Sequence, residues 1–172
     1  TSQAVRDVFL QFSAAFPHAE REEYIGEMPE LPEVETMRRG ILPIVGSRVR
    51  NVAVEPCPRK PILLTPKIAA FAKQTKNRRV MAVDRLGKRV VVRLDSGESI
   101  VFEPRMTGLV LVADPPTREH LRFRLDIADG PIPHIWYWDR RGLGSVRLLT
   151  ERQFAEQLGK GKLGPDALAL SS

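Results

Sequence analysis

Met28-Pro29-Glu30-Leu31-Pro32-Glu33-Val34-Glu35-Thr36 sets three carboxylates and two prolines in nine residues and then passes into an amphipathic segment. Pro32 suits the first turn of a helix, because its ring holds φ near the helical value and its missing N–H would have had no intrahelical partner there. Glu33 and Glu35 follow in the same turn, where the helix dipole favours negative charge. Val34, Met37 and Ile41 recur on one face, and Pro43 with Gly46 ends the pattern, so the spacing predicts a helix from Pro32 to about Leu42. On these residues alone the run is an ordinary helix start. A second reading comes from Met28 standing directly before Pro29. If translation starts at Met28, or the chain is cut there, Pro29 presents a free secondary amine. Such an amine titrates near ~8 and is partly unprotonated and nucleophilic at neutral pH. The neighbouring Glu30 could then carry protons to and from its target.

Downstream of this helix the pattern becomes one of short strands. Strand signals fall at Arg48–Glu55, Arg79–Leu86, Arg89–Leu94, Ser99–Glu103, Leu109–Val112, His120–Ile127, His134–Asp139 and Ser145–Leu149. Asp95-Ser96-Gly97 reads as a hairpin turn. Pro56, Pro58, Pro61 and Pro66 mark a loop, with Thr65 and Pro66 as N-cap and first position of a short helix to Lys73. Thr150 and Gln153 form a capping-box pattern that opens a last helix to about Leu158, and Gly159, Gly161 and Gly164 make the tail a linker. Eight short strands joined by tight turns predict a mainly β fold with flanking helices: an eight-stranded antiparallel β-sandwich, or flattened barrel, carrying the helix that starts at Pro32.

Composition narrows the class. The 172 residues can bury a real core, and 42% are hydrophobic. Cys57 is the only cysteine, which excludes an internal disulfide and a cysteine-rich zinc site and points to a reducing, cytoplasmic setting. No apolar run approaches the ~20 residues that cross a bilayer. The net charge is +6. Residues 1–27 carry two arginines against five carboxylates, so that segment is −3 and the remainder +9. A domain this basic fits a polyanionic partner, since each phosphate neutralised releases condensed counterions; a solvated basic surface is the plainer alternative. Within 1–27, Val5, Val8, Phe9, Phe12 and Phe16 form one helical stripe, broken by Pro17-His18 and followed by an acidic run.

The run from Met28 to Thr36 resembles the amino terminus of the formamidopyrimidine-DNA glycosylase/endonuclease VIII family, whose members begin Pro-Glu-Leu-Pro-Glu-Val-Glu-Thr after loss of Met. Further segments agree in order. Gly87-Lys88 resembles the family's Gly-Lys corner, which implies that Lys88 bonds the phosphate flanking a lesion and assists elimination. Arg105-Met106-Thr107-Gly108 is similar to the family's Arg-Met-Ser-Gly turn and implies that Met106 fills the gap left by an extruded base; without the resemblance Met106 is a core filler. Thr117-Arg118-Glu119-His120 falls where the family has Lys-His-Asp-His, so Arg118 stands opposite a DNA-contacting histidine. His120 and His134 read as structural residues, His120 as a hydrogen-bonded one. Asp139-Arg140-Arg141-Gly142-Leu143-Gly144 resembles the family's Asp-Pro-Arg-Arg-Phe-Gly loop. With aspartates and final glycines in register, Arg141 takes the arginine that holds the orphaned base and Leu143 the phenylalanine wedge.

The resemblance implies a base-excision-repair glycosylase with AP-lyase activity, acting on damaged double-stranded DNA as a monomer in the cytoplasm or nucleoid. Pro29 would attack C1′ of a flipped nucleotide carrying an oxidised base such as formamidopyrimidine or 8-oxoguanine, Glu30 would handle protons, and Glu33 would orient the sugar or support the nucleophile. No cofactor or metal is implied for this chain, the family's zinc finger belonging to a second domain that follows a linker like Leu163–Leu168. The expected division is a leader at 1–27, the catalytic domain at 28–158 and the linker at 159–172. Family members have no such leader. It is an untranslated upstream extension, a removable segment, or the mark of an inactive relative, and the alternative function is a non-catalytic DNA-binding module of the same fold.

Overall fold

The structure, a computed structural model, describes residues 31–113 and 115–159. The predicted helix at Gln3–Phe16, the acidic run, Met28, Pro29, Glu30 and the tail beyond Gly159 lie outside the described residues. The elements in order are α1 (Leu31–Ile41), a 3₁₀ turn (Leu42–Ile44), β1 (Arg48–Val54), β2 (Leu63–Thr65), α2 (Ile68–Thr75), β3 (Val80–Leu86), β4 (Arg89–Leu94), β5 (Ser99–Glu103), β6 (Gly108–Leu111), β7 (Leu121–Ala128), β8 (His134–Asp139), β9 (Ser145–Leu149) and α3 (Glu151–Leu158). Two sheets form, one ordered β1-β7-β8-β6 and the other β2-β9-β5-β4-β3. Among the described residues no helix is long and apolar enough to cross a membrane.

The mainly β sandwich with flanking helices is as expected, and all eight predicted strands are present. A ninth, β2, lies in the proline-rich stretch read as a loop, and it runs parallel to β9, with Leu63 opposite Ser145 and Thr65 opposite Arg147. Three residues are too few to display an alternation, and the partner strand lies far along the chain. Because the backbone of Thr65 belongs to this ladder, it does not cap a helix. α2 begins at Ile68 after Lys67, which makes no side-chain cap, and ends at Thr75, whose hydroxyl donates to the Phe71 carbonyl at 2.8 Å. Local cues succeeded where the partner was near. The Leu94 carbonyl accepts from the Gly97 N–H at 3.1 Å, closing the expected hairpin, and Thr150 and Gln153 complete both bonds of their capping box.

The core lies between the sheets. Val90, Val92, Ile100, Phe102, Val146 and Leu148 face Phe123, Leu125, Ile135 and Tyr137, with Phe71 edge-on to Phe123 at 5.4 Å between ring centroids. A second, smaller cluster of Val91, Val101, Leu149 and Leu158, joined by Leu86 and Phe154, sits under α3 on the outer face of its sheet. β4 and β5 are therefore covered on both faces, which is why they read as unbroken apolar runs rather than alternations. α1 packs on β3, β4 and β6, and α2 on β1 and β2, so each helix touches strands of both sheets.

Candidate functional site

Register brings the predicted residues to one end of the sandwich. In one sheet Leu86 pairs with Arg89, and Glu103 pairs with Ser145. The Arg89 guanidinium reaches the Glu103 carboxylate at 3.1 Å, joining those two rows. In the other sheet Gly108 pairs with Asp139. The Gly87–Lys88 turn, the 104–107 turn and the 140–144 loop therefore leave their strands at the same level. Lys88 is half-buried in a two-residue hairpin turn whose first residue, Gly87, has φ +60°. Met106 is half-buried, so it is neither a core residue nor a fully solvated one, and Arg141 and Leu143 are exposed.

Asp139 knits two of these segments together. Its fully buried carboxylate accepts from the Thr107 hydroxyl at 2.7 Å, the Tyr137 hydroxyl at 2.8 Å, and the Gly142 and Gly144 amides at 2.9 Å each. Thr107 in turn accepts from the Arg141 amide at 3.0 Å. A buried carboxylate is tolerable only with such a shell of donors. Here three of the four donors belong to the two segments that carry Met106 and Arg141. Burial first, and then the Asp139 charge, push the Tyr137 phenol well above its ordinary range, so it remains a donor. The buried Arg122 guanidinium gathers backbone carbonyls instead. It donates to Asp139 at 2.9 Å, to Arg140 at 3.5 Å and to Lys60, fixing the 140–144 loop against the chain before β2.

α1 joins the same end through Glu35. That carboxylate accepts from Arg38 at 2.6 Å, Arg39 at 3.2 Å and Arg85 at 3.1 Å, and Arg85 also donates to the Gly87 carbonyl at 3.0 Å. Arg38 itself reaches the Val83 carbonyl at 3.2 Å. Going from Arg38 back to Glu35 along α1 thus matches going from Val83 forward to Arg85 along β3, so the N-terminal end of α1 points toward the Gly87–Lys88 turn. Hydrogen bonding to Arg38 holds the Glu35 carboxyl below its usual range against the opposing effect of burial. Glu33 lies two residues nearer that end, and its Oε2 is buried with no hydrogen-bond partner among the described residues. Pro29 and Glu30, two residues and one residue before α1, lie outside the described residues.

Arg118 is exposed on the loop that leads into β7. His120 departs from its expected role. It is buried, but its Nδ1 has no hydrogen-bond partner among the described residues, and it acts by packing edge-on against Trp138 at 5.5 Å. Its pKa is lowered, first by burial and then by Arg122, Arg59 and Arg140, against the pull of Glu119. Glu35, Arg85, Arg122 and the carboxylate of Asp139 had no role assigned from sequence. Glu35 and Asp139 stood within quoted motifs, but nothing in the spacing revealed that Glu35 would reach Arg85 or that the Asp139 side chain points inward.

The family model described as the formamidopyrimidine-DNA glycosylase N-terminal domain matches residues 28–146. A formamidopyrimidine-DNA glycosylase of Heliobacterium modesticaldum is 36% identical over 154 residues, covering 82% of this chain and 51% of that protein. One from Chloroflexus aggregans is 39% identical over 125 residues, covering 71% and 44%. The chain spans about half the length of these curated relatives. Among solved structures, Lactococcus lactis Fpg in complex with DNA containing an oxidised pyrimidine superposes with a TM-score of 0.65 at 26% identity, covering 80% of this chain and 50% of that one. The same enzyme non-covalently bound to DNA with an AP site gives 0.64 at 26% identity, with 80% and 50% covered. Matched in sequence from Met28 to Val146 and in the arrangement of its two sheets, this chain belongs to the formamidopyrimidine-DNA glycosylase family and carries the family's N-terminal domain.

Proposed function

We propose that the chain is the catalytic half of a DNA glycosylase with AP-lyase activity that excises oxidised bases. In this reaction the unprotonated amine of an N-terminal Pro29 attacks C1′ of a flipped nucleotide. The N–C1′ bond forms as the bond from C1′ to the base breaks, and the base leaves with a proton that Glu30 relays. Opening of the sugar yields an iminium ion. Loss of a proton from C2′ then expels the 3′ phosphate, and water releases the protein. Glu33, at the end of α1 aimed toward the Lys88 turn, would orient the sugar.

Extruding a base costs a few kcal/mol, which groups that fill the vacated stack offset. Met106, Arg141 and Leu143 would do this, while Lys88 and Arg118 hold flanking phosphates. The observation that carries the proposal is the Asp139 carboxylate, which ties the Met106 turn to the Arg141–Leu143 loop at the end toward which α1 points. A filler and a wedge are useful only if they enter the duplex as one rigid body.

Borohydride trapping on abasic-site DNA tests it, comparing protein that starts at Pro29 with the full 172-residue chain. A covalent adduct with the first and none with the second is expected. No adduct with either, even after a relative's C-terminal domain is joined on, would overturn the enzyme and leave a DNA-binding module of the same fold.

A further inference from the structure

Arg48 and Arg79 stand directly opposite each other in an isolated antiparallel bridge where the start of β1 meets the residues before β3. The Val49 amide donates to the Arg78 carbonyl and the Val80 amide to the Ser47 carbonyl, both at 2.8 Å. The bridge is therefore of the non-hydrogen-bonded type, in which opposed side chains stand closest. Like charges so placed destabilise a strand pair. Neither arginine has an ion-pair partner among the described residues, and Arg79 makes only a 3.5 Å bond to the Gly46 carbonyl. Arg50, at the β1 bulge, and Arg78 are exposed beside them, with Lys73 and Lys76 at the end of α2.

Many arginines elsewhere in the domain are held by carboxylates, although Arg118, Arg140 and Arg141 are exposed without an ion pair among the described residues. Glu35 binds three arginines, Glu103 binds Arg89, Arg105 and Arg147, and Arg124 is shared by Glu55 and Asp126. The carboxylates nearest the seam in register are Asp129, which follows the Arg48 partner Ala128, and Asp95, whose amide meets the Arg79 carbonyl; among the described residues neither pairs with an arginine. The helix dipole accounts for Lys73 and Lys76. It does not account for two arginines set face to face.

We propose that this seam is a second, sequence-independent contact for the phosphate backbone of double-stranded DNA, apart from the lesion site. Arginine forks match phosphate oxygens in pairs, and a phosphate between the two guanidiniums removes the repulsion that the bridge imposes. Arg79 precedes β3 and Lys88 follows it, so the two surfaces lie at opposite ends of one strand, about 25 Å apart. The seam holds a segment of duplex other than the one being repaired. The choice of DNA over another polyanion rests on the proposed function.

The test is the salt dependence of affinity for a long undamaged duplex, measured with the full chain and with R48Q/R79Q. Losing two phosphate contacts lowers the slope of log K against log salt by about 1.8. R48K/R79K, which keeps both charges, retains the slope, and R48Q/R79Q melts no lower than the parent because the opposed charges are gone. An unchanged slope overturns the proposal. So does an unchanged slope with lost affinity for polyglutamate, which makes the seam a docking face for an acidic protein. Borohydride trapping on a short lesion duplex, with each form starting at Pro29, reads the catalytic proposal separately and is expected to be equal in parent and variant. If no form traps, even with a relative's C-terminal domain joined on, the glycosylase proposal fails while the salt slope still decides the seam.

Discussion

The Thr107 hydroxyl donates to the Asp139 carboxylate at 2.7 Å across 32 positions of chain, and this bond joins the turn that holds Met106 to the loop that holds Arg141. Thr107→Val deletes it and also leaves the Arg141 amide without its acceptor. We expect a loss of about 1–3 kcal/mol in urea unfolding. Asp139→Asn places an amide donor among four donors and is expected to cost about 3–5 kcal/mol, as when a buried charge network loses one member.

Arg141 contrasts with Thr107. Its side chain is exposed, and only its backbone amide takes part in the network. Arg141→Ala is expected to change stability by less than about 0.5 kcal/mol. If the side chain enters the duplex, the same variant weakens binding to a lesion duplex at least tenfold in an anisotropy titration. A variant that unfolds early while binding normally would reverse both halves of this expectation.

Two glycines separate close approach from backbone conformation. A Cβ on Gly144 would collide with the Tyr137 hydroxyl and lie 2.6 Å from the Glu103 carbonyl, whereas Gly46 has φ +88° and nothing within 4 Å. Gly144→Ala therefore displaces the Asp139 shell and is expected to cost more than about 2 kcal/mol. Gly46→Ala pays only the left-handed backbone penalty of about 1–2 kcal/mol. Thermal melts of the two variants compare them directly.

His120 makes stability fall on the acid side. Burial lowers its folded pKa below that of the unfolded chain, so the neutral form is favoured on folding. The unfolded state binds more protons between the two values, and the stabilisation present above about pH 6.5 is lost as pH falls through the folded value. His120→Phe keeps a ring against Trp138 and does not titrate. Its advantage over the parent should grow from about pH 7.5 to 5.5 in urea unfolding, and equal slopes would refute the assignment.

Glu35 works at lower pH and with a depressed carboxyl. Arg38, Arg39 and Arg85 favour its charged form, so its contribution is complete above the unfolded carboxyl value and is lost as pH drops through the folded one. Glu35→Gln is expected to cost about 1–2 kcal/mol at neutral pH. The difference from the parent narrows in acid as the parent carboxyl protonates. A gap that stays constant down to about pH 3 would show that geometry, not charge, holds α1 on β3.

Much of this protein is written in short-range signals. The α1 stripe of Val34, Met37 and Ile41, the hairpin at Asp95–Gly97 and the Thr150–Gln153 box are each settled by residues within about a dozen positions, so their chemistry shows in the chain itself. The family was legible for a similar reason, because a few adjacent side chains carry each motif that points to it. β2 was not, since three residues gain a partner only when β9 lies alongside. Nor was the inward turn of Asp139, the burial of Arg122 or the grip of Glu35 on Arg85, because each pairs groups that are distant along the chain and meet only once register and packing are set. The face-to-face arginines at positions 48 and 79 belong to that second class. Local preference chooses the strands and helices, while the need to satisfy buried polar groups and cover apolar faces selects which distant residues must meet.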